Sequence, residues 1–314
     1  MNVQRARMHE LNTTFFANAF SAGIHSQPTI DPHLEEALRH VLDHPGSLIR
    51  PRMIYLVATA YGLEAASALD LAIALEYFHT ASLIFDDLPC MDNALERRGA
   101  SCVHFKFGEA EAILVALALI NRAYALCWRA VSGTSRECQT RALAYIEQHL
   151  GVNGLLNGQS MDLHYATLPQ DHETTERIAR GKTVSLIQLT LVLPAMLGGA
   201  TTRELQLLER IALYWGLAYQ MTDDLKDVLD SKAEAGKTVA RDLLLNRPNA
   251  ASAMGIPSAV ERLTRFIELG DRTLARLVQA RLGLSFLEKL RSSLEEELVR
   301  ITGILREMPL GARP

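Results

Sequence analysis

Leu71-Ala72-Ile73-Ala74-Leu75-Glu76-Tyr77-Phe78-His79-Thr80-Ala81-Ser82-Leu83-Ile84-Phe85 runs directly into Asp86-Asp87-Leu88-Pro89-Cys90-Met91-Asp92. An apolar run of helix-forming residues thus ends on a cluster of carboxylates. The pattern recurs where apolar helix leads through Tyr219-Gln220-Met221-Thr222 into Asp223-Asp224-Leu225-Lys226-Asp227. Outward from these stretches, apolar residues keep helical spacing almost throughout. Leu287, Leu290, Leu294, Leu298, Ile301 and Leu305 step by 3, 4, 4, 3 and 4 and form one stripe on a helix. Strict strand-like alternation is scarce, and the long segments favour Ala, Leu, Glu and Arg, so the fold class is all-α.

The 314 residues suffice for one large domain or two ordinary ones. Hydrophobic residues make up 48% and charged residues 22%, which excludes disordered and collagen-like chains. Gly, Pro, Ser and Asp gather at His25–Pro32, His44–Gly46, Ser132–Ser135, Leu168–His172, Gly198–Thr202, Ser231–Thr238 and Arg247–Pro257, and these positions should break the helices. With no tether and no repeat of fixed period, the expectation is a single helical domain over residues 1–314. A net charge of −4 argues against nucleic acid as a partner. Four scattered cysteines without CxxC spacing fit free thiols in the cytoplasm. The N-terminus lacks the apolar run of a signal peptide, and Leu71–Phe85 and Leu186–Ala200 fall short of the roughly 20 residues of a membrane span.

Asp223 and Asp227 stand four residues apart, so both carboxylates share one helix face. Asp86 and Asp92 are six apart and would diverge on a continuous helix. A helix ending at Pro89 lets the chain curl and return Asp92 to the same site. Partly buried carboxylates repel one another, so something cationic should sit among them. Oxygen donors without a His or Cys cluster suit magnesium, which bridges carboxylates to phosphates. A single acidic helix end is most often solvated surface. Two such ends, with Arg97, Arg98, Lys182 and Lys237 placed along the chain, have polyphosphate-binding character.

The stretch from His79 to Asp92, followed by Arg97-Arg98-Gly99, resembles the first aspartate-rich motif of the trans-isoprenyl diphosphate synthase family, which includes farnesyl and geranylgeranyl diphosphate synthases. Phe107-Gly108-Glu109-Ala110, Gly158-Gln159-Ser160-Met161-Asp162-Leu163, Lys182-Thr183 and Gln220 through Asp227 follow in that family's order, so the markers cover about residues 45–245. The resemblance implies an isoprenoid synthase helical bundle around a central cavity, usually a homodimer, with two aspartate motifs facing each other at its mouth. It implies Mg2+ held by Asp86, Asp87, Asp92, Asp223, Asp224 and Asp227. Arg97, Lys182, Thr183, Gln220 and Lys237 would hold an allylic diphosphate, and Arg50, His79 and Arg98 would hold isopentenyl diphosphate. Asp86, Asp87, Lys182, Asp223 and Asp224 would carry catalysis: ionisation of the allylic carbon–oxygen bond as metal and fixed cations stabilise the departing diphosphate.

The chain departs from the family in three places. Ser47 stands where Gly-Gly-Lys-x-x-Arg-Pro has its lysine, removing a cation from the second diphosphate. Leu117 replaces the aspartate of Ala-Gly-Asp, expected to be buried, and Lys226 replaces an apolar residue. Small residues at the chain-length positions Ala81 and Ser82, about one turn below Asp86, favour a product near C20. Two rivals remain in view. A terpene-synthase-like enzyme would ionise the allylic diphosphate without isopentenyl diphosphate, and a non-catalytic subunit of a heteromeric synthase would have eroded aspartate motifs.

Overall fold

The computed structural model describes residues 13–24, 29–233, 247–289, 296, 298–301 and 303. Among the described residues it is built of helices, with one sheet, a hairpin of two-residue strands. Its contacts gather into two compact units, Met1–Ala142 with Leu197–Gly199, and Leu143–Met196 with Ala200–Pro314.

The first unit is organised on α4. In chain order it contains α1 (Thr13–Ala22), α2 (Pro32–Leu42), α3 (Ile49–Ala60), α4 (Ala65–Asp86), the strands β1 (Glu96–Arg97) and β2 (Ala100–Ser101), α5 (Val103–Phe107) and α6 (Glu109–Ser132). Helix α4 is apolar on nearly every side, as a helix packed all round must be, and α3 and α6 lie against it. Asp31 starts α2 by accepting the amides of His33 and Leu34, with Pro32 at the first turn.

The second unit takes in the later part of α7 (Arg136–Leu150), then α8 (Leu155–Leu163), a 3₁₀ turn at Tyr165–Thr167 and α9 (His172–Ala179). A π-helical turn over Arg180–Val184 leads into α10 (Ser185–Leu197), followed by α11 (Thr202–Ala233), α12 (Ala250–Met254) and α13 (Ile256–Ala280). Thr201 and Glu204 form a reciprocal capping box at the start of α11. Leu217, Met221, Leu225 and Leu229 make one stripe of α11 that packs on Ile256, Leu263 and Phe266 of α13.

Helix boundaries fall at the sequence-predicted breaks from Pro32 to the Gly198–Thr202 turn, whereas α11 continues through Ser231 to Ala233 and the predicted break Arg247–Pro257 contains α12 and the start of α13. Of the C-terminal stripe, Leu287 and Ile301 are buried and Leu298 packs on the core, while Leu290, Leu294 and Leu305 lie outside the described residues. None of the four cysteines forms a disulfide. The membrane argument from stretch length needs correction, because α4 and α6, at 22 and 24 residues, are long and apolar enough to cross a bilayer by length and composition. Two-thirds of the most apolar part of α4 is buried inside the protein, as in a core helix. Helix α6 instead exposes Leu114, Leu117, Tyr124 and Trp128 along one side.

Candidate functional site

Helix α4 ends at Asp86, three residues before Pro89, and the chain turns back at once. The Asp92 amide donates to the Asp86 carbonyl at 2.9 Å and the Ala94 amide to the Asp87 carbonyl at 3.2 Å. The curl expected from Pro89 therefore exists, and backbone hydrogen bonds fasten it to the helix end. Asp86 and Asp92 are half-buried beside it, while Asp87 is 4% exposed. Asp87 Oδ1 accepts from Arg97 Nε at 3.0 Å and from Arg97 Nη2, an arrangement that raises the affinity of the guanidinium for its proton.

Arg97 reaches Asp87 because β1 and β2 pair antiparallel, with Arg98-Gly99 as the two-residue turn between them. Both turn residues have left-handed backbones, φ +55° at Arg98 and +77° at Gly99. Arg98 then lies along α4, donating to Glu76 Oε1 at 3.3 Å and Thr80 Oγ1 at 3.5 Å. Gly46, at φ +77°, sits directly on it: a Cβ there would stand 2.5 Å from Arg98 Nε. Arg50 belongs to the same group, since its charge acts on both Glu76 and His79. Burial first, and then Arg50, Arg98 and Arg97, hold the His79 imidazole well below its usual range, so it is neutral near pH 7. Its buried Nδ1 has no hydrogen-bond partner in the structure.

In the second unit the Gly158-Gln159 and Gly181-Lys182-Thr183 segments meet backbone to backbone. A Cβ at Gly158 would stand 2.3 Å from the Lys182 amide nitrogen, and one at Gly181 would stand 2.7 Å from Gly158 Cα. The π-helical turn carries Lys182 onto Asp162, whose Oδ2 accepts from Nζ at 2.9 Å. Arg247 Nη1 lies 3.5 Å from that same oxygen. Thr183 Oγ1 donates to Gln220 Oε1 at 2.7 Å, and Gln220 Nε2 donates to Asp224 Oδ1 at 2.9 Å. Asp224 Oδ2 accepts the Ala250 amide at 2.8 Å, and the Asp224 carbonyl accepts Asn249 Nδ2 at 3.0 Å. Asp224 is thus the peg that ties α12 to α11. On the continuous helix α11, Asp223 is exposed one turn before Asp227, whose Oδ2 is buried with no hydrogen-bond partner.

The first unit therefore brings Asp86, Asp87, Asp92 and Arg97 to one helix end, with Arg50, His79 and Arg98 alongside. The second joins Lys182, Thr183, Gln220 and Asp224. Lys237 lies outside the described residues. Sequence reasoning missed Asp162 as the anchor of Lys182, Arg247 as its second cation and Glu76 as the partner of Arg98. Glu76 had shown itself only as a single charge inside an apolar run. Leu117 departs from expectation too, because position 117 is 50% exposed, so an apolar residue there interrupts no buried network. Ser82 donates to the His79 carbonyl and is half-buried on the same side of α4 as Asp86, four residues on, whereas Ala81 is fully enclosed. Four residues below Ser82, Phe78 packs edge-on against Tyr124 with ring centroids 4.9 Å apart.

Among the described residues no three His, Cys, Asp or Glu side chains come close enough to hold a metal by themselves. The unpartnered Asp227 oxygen is a donor of the required hard type.

Known proteins share the sequence pattern and the fold. The polyprenyl synthetase family model matches residues 31–274. Geranylgeranyl pyrophosphate synthase 9, chloroplastic, of Arabidopsis thaliana is 36% identical over 251 residues, 77% of this chain and 70% of that protein. The fold resembles a crystal structure of a FPP/GFPP synthase from Zymomonas mobilis, at TM-score 0.75 and 26% identity over 95% of this chain and all of that one. It also resembles a geranyltransferase from Helicobacter pylori complexed with magnesium and isoprenyl diphosphate, at TM-score 0.71 and 26% identity over 95% of this chain and 98% of that one.

Proposed function

The chain belongs to the polyprenyl synthetase family and is a prenyltransferase, and from that premise we propose that it condenses an allylic diphosphate with isopentenyl diphosphate to a product of about C20, using Mg2+. The observation that carries this reading is the first aspartate motif: a curled helix end bearing Asp86 and Asp92, with the adjacent arginines split between Asp87 and Glu76.

The six aspartates Asp86, Asp87, Asp92, Asp223, Asp224 and Asp227 would supply the oxygen ligands of the metal. Asp87 and Asp224 also hold the frame, through Arg97 and through Gln220 and the Ala250 amide. Magnesium, when bound, would offset the charge that develops on the departing diphosphate. Arg97, Lys182, Thr183 and Gln220, with Lys237 expected beside them, would orient the allylic diphosphate. Asp162 holds Lys182 in place until phosphate oxygens compete for it. Arg50, His79 and Arg98 would take isopentenyl diphosphate. The neutral His79 would serve there as a hydrogen-bonding group rather than a charge. The plant relatives support C20, and Ser82 is the small residue on the side of Asp86. The exposed stripe of α6 suits a homodimer, the cysteines a cytoplasmic setting, and the enclosed α4 a chain with no membrane span.

Incubation with magnesium and C5, C10 or C15 allylic diphosphates, with and without labelled isopentenyl diphosphate, tests the reading by product mass. Label in a longer diphosphate supports it. Allylic substrate consumed equally without isopentenyl diphosphate replaces it with the terpene-synthase-like alternative. Two variants refine it. Ser47→Lys, at an exposed position next to Gly46, should lower the KM for isopentenyl diphosphate about tenfold by adding one charge-assisted contact. An unchanged KM would show that this diphosphate lies away from residue 47. Ser82→Phe should shift the product from about C20 toward C15. Ala81→Phe should instead lower the melting temperature, since Ala81 has no open space beside it. A product length unmoved by Ser82→Phe would place the cavity floor elsewhere.

A further inference from the structure

Glu76 is a buried acid for which the proposed chemistry has no use. It is 2% exposed, lies inside the apolar core of α4, and its Oε2 has no hydrogen-bond partner. Glu76, Thr80 and Asp87 fall on one face of α4, because steps of four and seven residues return to the same side and eleven residues make about three turns. Arg97 and Arg98 are chain neighbours, yet their guanidinium groups go to opposite ends of this face, Arg97 to Asp87 and Arg98 to Thr80 and Glu76. Arg98 reaches that far by holding a left-handed backbone beneath Gly46, a conformation an arginine keeps only where its surroundings fix it. Its two hydrogen bonds are long, 3.3 and 3.5 Å, so most of its N–H donors remain available to an anion.

We propose that Glu76 is a positioning residue that sorts the arginine pair, holding Arg98 with Arg50 for the second diphosphate and away from the aspartate cluster that Arg97 serves. Freed from Glu76, Arg98 has the exposed Glu96 of β1 and the cluster of Asp86, Asp87 and Asp92 as competing anions on the same strip of chain, and at that cluster it would neutralise charge intended for metal. The burial that pushes the Glu76 carboxyl up is opposed by Arg50 and Arg98, so the acid and the two arginines form one electrostatic unit. The proposal rests on the reading that Arg50, His79 and Arg98 bind isopentenyl diphosphate.

The test is Glu76→Gln, which keeps the shape and one acceptor but removes the charge, measured beside Glu76→Asp. In steady-state assays the Gln variant should raise the KM for isopentenyl diphosphate about tenfold, the loss expected for one charge-assisted hydrogen bond. At saturating magnesium the allylic KM and kcat should stay within about twofold, while the magnesium concentration that gives half-maximal rate should rise. The Asp variant should recover part of the loss. A change in kcat alone, or equal rises in both KM values, would overturn the sorting role. Should the Gln variant fail to fold, the Asp variant decides by the same split. Calorimetric binding of isopentenyl diphosphate without allylic substrate separates this idea from the functional reading. If the wild-type enzyme neither binds nor incorporates it, that reading fails, and inorganic diphosphate becomes the probe. Equal affinity of wild type and Glu76→Gln for that anion would then overturn the sorting role.

Discussion

Asp86→Ala should reduce magnesium-dependent diphosphate release by at least about 10³-fold while keeping the turn that follows α4. Asp86 ends α4, and its backbone carbonyl, which survives the substitution, is what accepts the Asp92 amide. The curl therefore persists, while the carboxylate and the charge it places near Arg97 are lost. One well-placed group that stabilises developing charge is worth about 10²–10³ in turnover, and loss of a metal adds to that. Asp87→Ala should behave differently. It should lose activity and also lower stability by about 1–2 kcal/mol, because Arg97 is left without its partner. That cost stays at the low end of the range for broken ion pairs, since the Arg97 side chain is 37% exposed and water compensates it. Diphosphate release and a thermal melt on each single variant separate the two roles. Full turnover in Asp86→Ala would remove that carboxylate from the metal site.

This division of labour marks the limit of what the sequence alone could show. The two aspartate clusters, the helices before them and the curl after Asp87 follow from spacing and from Pro89, all of which are local. Which aspartates are spent on protein partners depends on contacts far along the chain. Asp224 meets Ala250, 26 residues on, and Asp162 meets Lys182 and Arg247, 20 and 85 residues on. No periodicity encodes those pairings. The strands that present Arg97 and Arg98 are two residues each, too short to register as an alternating pattern, and the left-handed Arg98 occupies a position where glycine or asparagine would have signalled the turn. Glu76 was visible as a charge among apolar residues, but its partner lies 22 positions away. Leu117 carries the opposite lesson: a departure from a family's pattern does not reveal whether the position is buried, and here it is half-exposed.

Gly158→Ala should be the most destructive single-methyl change near the site. The added Cβ would lie 2.3 Å from the Lys182 amide nitrogen and 2.6 Å from the Gly181 carbonyl carbon, and both are backbone atoms that cannot rotate away. Relief requires α8 and the Arg180–Val184 turn to separate, and that turn is what delivers Lys182 to Asp162 and Thr183 to Gln220. Overpacking of this kind costs about 3 kcal/mol, which for a chain of this size lowers Tm by about 6 °C. The functional loss should go further than the loss of folded protein. Below the new Tm, folded Gly158→Ala should bind the allylic diphosphate at least about tenfold more weakly, because Lys182 and Thr183 move together with the displaced turn. Gly62→Ala is the control: its position is open, with no atom within 4 Å of an added methyl, but its φ of +85° strains any side chain. That variant should lose stability through the backbone alone and keep its affinity. Equal affinities in the two variants would mean that the glycine contact serves folding and does not set the position of Lys182.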